Sequence, residues 1–133
     1  VGGVTFKRYL EIAQVLEKTT TVVTDNDGNI EAVKKKYKEY EKIPYIHICA
    51  DETVDTGNLK LSDKSFNYNT LEPKILKENG RGLLNSIFGT TYKTDDEMHK
   101  YMHSHKTDCA IAIFESVTRI KYPEYIMRAI KNE

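Results

Sequence analysis

The sequence predicts an α/β fold: a short, largely parallel sheet flanked by helices. Two observations carry most of this. The runs Thr20–Thr24 and Tyr45–Ala50 are short and rich in β-branched or apolar residues, and a charged stretch with helical spacing separates them. Strand, helix, strand in that order is how parallel neighbours are connected. A third observation is the second half of the chain, where apolar residues recur at helical period between Gly and Pro interruptions. The 133 residues show no repeat, linker or low-complexity tract, so a single domain over 1–133 is expected.

Taken in order, Thr5 is the expected N-cap of a first helix, with Leu10, Ala13 and Leu16 at helical spacing. The strand Thr20–Thr24 ends in Asp25-Asn26-Asp27-Gly28-Asn29, a strong turn signal. Residues 30–41 form an exposed helix in which Glu31 can support Lys35. Pro44 precedes the second strand. After a polar segment, Phe66–Asn69 is expected as a further short strand and Leu71–Glu78 as a helix that Gly80 and Gly82 interrupt. Thr94-Asp95-Asp96-Glu97 is a capping box opening a helix to about His103. A helix over 107–117 follows, and Pro123 suits the first turn of a last one with Ile126 and Ile130 inward.

Composition excludes several classes. Twenty basic residues balance twenty acidic ones, so binding to nucleic acid by bulk charge is excluded. No apolar run approaches the roughly 18 residues of a membrane span, and no membrane partner is expected. Cys49 and Cys109 lie in apolar stretches and are expected as buried free thiols, which suits a reducing cytoplasm. The chain opens at Val1-Gly2-Gly3, which reads as the end of a strand and the start of a fragment of a larger protein.

The strongest chemical signal is the acidic turn. Asp25 and Asp27 follow a strand of a parallel sheet, and ligand sites of such sheets lie beyond the carboxyl ends of strands. Paired carboxylates there are hard ligands for Mg²⁺ or Mn²⁺; an ordinary turn is the plainer reading. An EF-hand loop counted from Asp25 would need Gly and Glu where the chain has Ile30 and Lys36, so it fails. A phosphatase of the haloacid-dehalogenase type would use Asp25 as its nucleophile, but its later acidic pair would have to be Asp95 and Asp96, which belong to a capping box.

Three further segments complete an ordered set: Val1-Gly2-Gly3-Val4-Thr5-Phe6, Asn69-Thr70-Leu71-Glu72-Pro73 and Lys106-Thr107-Asp108-Cys109-Ala110. With Thr24-Asp25-Asn26-Asp27-Gly28 and the closing Ile120-Lys121-Tyr122-Pro123-Glu124-Tyr125-Ile126, the chain resembles the TOPRIM domain of the overcoming-lysogenization-defect (OLD) family of ATP-dependent endonucleases over nearly its whole length. The resemblance implies a Rossmann-like TOPRIM fold and a DNA endonuclease that uses two Mg²⁺ or Mn²⁺ ions about 4 Å apart. It implies Asp25 and Asp27 as the acidic metal-binding pair, Glu72 as a ligand of the second metal position, and Lys106 as the cation that stabilises charge on the scissile phosphate. It also implies an N-terminal ABC-type ATPase domain as partner and an oligomeric full-length protein. The family's first motif carries two acids where this chain has Gly2 and Phe6. Neither can ligate through its side chain, and Glu11 lies too far along the helix to replace them. One metal position is therefore expected to be weakened, and a non-catalytic binding or regulatory domain is a further reading.

Other residues have plainer readings. His99 and His103 share a helix face at a spacing that can hold zinc, yet no third ligand follows suitably. Lys34, Lys35, Lys36 and Lys38 read as a solvated helix face with weak DNA-backbone contact as the functional alternative. Asp51, Glu52 and Asp55 follow the second strand at the expected site edge.

Overall fold

Two parallel strands and the helix that connects them organise the first part of the chain. The computed structural model describes residues 3–55, 59, 61–62 and 67–131, with side chains from Arg8 onward. These residues group into two compact units: one runs to Thr53 and takes in the last helix from Glu124, and the other spans Val54–Pro123.

In the first unit, α1 (Gly3–Leu16) precedes β1 (Thr20–Thr24), and α2 (Ile30–Tyr37) with a 3-10 turn at Lys38–Tyr40 leads to β2 (Ile46–Ala50). The strands pair in parallel, Thr20 opposite Ile46 through Thr24 opposite Ala50. Leu10, Val22, Tyr37, Tyr40 and Ile46 form the buried core, each worth about 1.5–3 kcal/mol of transfer free energy if aliphatic. α7 (Glu124–Lys131) packs on both strands, burying Tyr125. Ile126 is half-buried and Ile130 exposed, so the last helix turns Tyr125 inward rather than Ile130.

α1 starts at Gly3, ahead of the expected cap at Thr5, while Gly2 lies outside the described residues. Its end has a clear physical cause. Lys18 N–H donates to Ala13 C=O (3.0 Å) and Glu17 N–H to Gln14 C=O (3.3 Å), with Glu17 left-handed at φ 51°. This is a Schellman cap with a side chain where Gly is preferred. Glu17→Gly is therefore expected to raise the unfolding free energy by about 1 kcal/mol. The check is a higher urea midpoint at unchanged slope; an unchanged midpoint would show that the left-handed residue costs nothing here.

The second unit is helical in its described residues: α3 (Leu71–Asn79), α4 (Arg81–Phe88), α5 (Asp95–Ser104) and α6 (Lys106–Glu115). Ile75, Leu76, Leu84, Met98, Met102, Cys109 and Ile120 make its core. Pro73 fits within the first turn of α3, where no intrahelical donor is needed. Thr94 caps α5 through Glu97 N–H (3.2 Å) as the capping box requires. The structure differs from the expected strand at 66–69: Asn67–Thr70 is turn and bend, and Phe66 lies outside the described residues. It also adds α4. Gly80, at φ +81° and ψ 153°, ends α3 and starts α4 in a conformation suited to glycine, so that glycine joins two helices where the spacing suggested only a break. Among the described residues the sheet has two strands. The fold is α/β, with a short parallel sheet and seven α-helices among the described residues.

Candidate functional site

The acidic turn is built around Asn26, which is 1% exposed. Its Nδ2 donates to Asp51 C=O (3.1 Å) and Thr53 C=O (2.8 Å), and its Oδ1 accepts from Gly28 N–H (2.8 Å). Asn29 N–H closes the turn on Asn26 C=O at 2.7 Å. Asp27 and Gly28 both have positive φ, 49° and 87°, the pattern for which tight turns select Asp-Gly. Asn29 then caps α2 by accepting from Ala32 N–H at 3.0 Å. Asp25 is thus half-buried and Asp27 exposed on either side of a buried clamp, beyond the carboxyl end of β1.

The carboxyl end of β2 is held by the same clamp. Asp51 N–H extends the pairing to Thr24 C=O (3.0 Å). The buried Asp51 carboxylate accepts from Thr53 N–H (3.0 Å) and Thr53 Oγ1 (2.8 Å). Arg128 of α7 donates to Ala50 C=O (2.6 Å) and lies 3.7 Å from Glu52. The expected site-edge residues therefore separate: Asp51 and Glu52 belong to this strand end, whereas Asp55 is paired with Lys77 at 2.8 Å in the second unit.

In that second unit, Glu72 and Lys106 meet. The Lys106 ammonium lies 3.2 Å from a Glu72 carboxylate oxygen, with the lysine side chain 62% exposed and the glutamate 15%. Glu72 sits in the first turn of α3, where the helix dipole favours an anion. Lys106 is the first residue of α6, where the dipole opposes a cation. His105 creates that position. It ends α5 and precedes α6, its ring stacked on Tyr101 at 4.6 Å and its Nδ1 3.1 Å from Tyr101 C=O. The structure thus brings Asp25 and Asp27 onto one turn and Glu72 and Lys106 into one ion pair.

Asp95 and Asp96 are occupied differently. Asp95 lies 3.1 Å from Arg81, and Asp96 accepts from Ser62 N–H (2.9 Å) and Ser62 Oγ (2.8 Å). His99 and His103 stack with ring centroids 6.0 Å apart. Among the described residues, no group of three or more His, Cys, Asp or Glu side chains is disposed to hold a metal ion.

Both cysteines are buried thiols outside any disulfide. Burial, then the charges of Asp108 and Glu72, push the Cys109 thiol up to about 11 from its ordinary 9.0. The folded protein therefore holds this proton more tightly than the unfolded chain. That contribution is fully present below pH 9 and lost as pH rises through about 11. Stability is expected to fall over this alkaline window, and the fall should be shallower in Cys109→Ala; parallel pH curves for the two proteins would contradict it.

Sequence reasoning missed Asn26 and Arg128, whose roles are side-chain bonds to backbone carbonyls far along the chain. No protein-family model, curated protein or solved structure matches the chain.

Proposed function

We propose that this chain is a TOPRIM-like DNA endonuclease domain of the OLD type, hydrolysing phosphodiesters with Mg²⁺ or Mn²⁺. The observation that carries the reading is the Glu72–Lys106 pair. Two motifs 34 positions apart in sequence meet at 3.2 Å, and both belong to the set on which the family resemblance rests. The lysine stands where helix electrostatics disfavour it, so helix stability does not explain its placement. Residues placed against a local rule are often functional ones.

The donor chemistry of the acidic residues fits a hard cation. Asp25 and Asp27 would hold such an ion through carboxylate oxygens on their turn, and Glu72 supplies a separate carboxylate donor at the start of α3. A bound ion would supply Lewis acidity for phosphodiester hydrolysis. The buried Asn26 clamp orients Asp25 and Asp27. Glu72 steers Lys106, whose ammonium neutralises charge developing on the phosphate. Gly2 and Phe6 stand where the family has acids, so one of the two metal positions is weak in this reading. An ABC-type ATPase domain and an oligomeric full-length protein complete it.

The test is plasmid nicking in Mn²⁺. Wild type is expected to nick, and Asp25→Asn to lose at least about 100-fold. Gly2→Glu is expected to gain activity. Absence of nicking by both wild type and Gly2→Glu would overturn the reading. The phosphatase alternative predicts instead hydrolysis of small phosphomonoesters that Asp25→Ala abolishes.

A further inference from the structure

A neutral chain can still hold its positive charge in one place. Lys34, Lys35, Lys36, Lys38 and Lys42 lie within nine residues that carry only Glu39 and Glu41 as acids. That leaves an excess of three positive charges over residues 34–42, and an equal negative excess over the rest of the chain. The five lysines are all exposed. Lys35, Lys36, Lys38 and Lys42 line a broad open groove of about 800 Å³ together with Ala32 and Glu39. Lys36 is set over the Tyr37 ring, its ammonium 5.3 Å from the centroid, so its stem is directed by a buried neighbour. The ion pairs of the described residues use Lys77, Arg81, Lys106 and Arg128, and none uses these lysines.

A solvated helix face needs no concavity and usually mixes its charges. Here four cations line one shallow, open groove with a single acid, and α2 starts directly after the Asp25–Asn29 turn. We propose that this groove is a docking surface for the phosphate backbone of duplex DNA. The choice of DNA as the polyanion rests on the nuclease reading; the presence of an anion-binding surface rests on the groove alone. The contact is sequence-independent, because ammonium groups read phosphate charge and not base edges. It reconciles a chain of zero net charge with a nucleic-acid substrate.

The experiment is fluorescence anisotropy with a labelled 30-base-pair duplex in EDTA, where cleavage is silent. Four phosphate contacts correspond to a slope of about −3.6 in log affinity against log salt. Wild-type affinity should therefore fall roughly 100-fold between 50 and 200 mM salt. A variant with Lys35, Lys36, Lys38 and Lys42 all changed to Gln should bind more weakly at low salt and lose most of that slope. These side chains are exposed, and a circular dichroism melt matching wild type confirms that the variant folds. Equal binding and equal slope in the two proteins would overturn the proposal, as would a wild type that binds anionic phosphatidylserine vesicles but no duplex. Duplex binding through these lysines, with no nicking in Mn²⁺ by either wild type or Gly2→Glu, supports the groove and removes only the nuclease reading.

Discussion

Asn26→Ala is expected to lower the unfolding free energy by about 3 kcal/mol, the largest stability effect of any single polar residue described above. Three hydrogen bonds disappear at once, to Asp51 C=O, Thr53 C=O and Gly28 N–H. Each is worth about 1 kcal/mol net, and the site is 1% exposed, so water does not readily replace the lost partners. Asn26→Asp should be no milder. It keeps an acceptor for Gly28 but sets a carboxylate oxygen against two carbonyl oxygens. The decisive comparison is with Asn29→Ala, which removes one exposed cap bond and is expected to cost about 1 kcal/mol. Urea titrations of the three variants check the order. A loss at Asn26 no greater than that at Asn29 would show that the clamp does not hold the two strand ends together.

That clamp also marks the limit of what the sequence discloses. The parallel pair was legible because β-branched Thr20–Thr24 and apolar Tyr45–Ala50 bracket a charged helix, and the paired residues differ from that reading only at Tyr45. The Thr94 capping box was legible because its donors and acceptors lie within three residues. Asn26 was not, because its partners stand 25 and 27 positions away. The same holds for Asn69, which exchanges bonds with the Asp55 backbone, and for Asn79, which does so with Lys121 across 42 positions. An asparagine reads locally as a turn former; a side-chain amide that imitates a missing backbone partner leaves no periodic trace. The helix α4 escaped for a related reason. Gly80 and Gly82 argue against helix locally, yet Leu84, fully buried in the second core, repays the ordering of that segment.

The candidate site was legible in its residue types and not in its pairings. The Asp-Asn-Asp-Gly run announces itself, whereas Glu72 and Lys106 gain their meaning only when two helix starts meet. This pairing yields the second large expectation: Lys106→Ala should reduce Mn²⁺-dependent nicking by about 100- to 1,000-fold, the range for removing one group that stabilises transition-state charge. The same substitution should hardly alter stability. The lysine side chain is 62% exposed, and exposed ion pairs contribute about 0–1 kcal/mol. Removing it also relieves a cation at the amino end of α6. Function and stability therefore separate at this residue. Lys106→Arg retains the charge and should recover part of the activity, because phosphate accepts either cation while the guanidinium places it differently. Glu72→Gln should lower activity as well, through loss of a carboxylate donor and of the partner that steers Lys106. The measurements are initial nicking rates and urea midpoints on the same preparations. If Lys106→Ala nicks like wild type, the ion pair is only a surface contact between two helices, and Lys106 loses its place in the proposed chemistry.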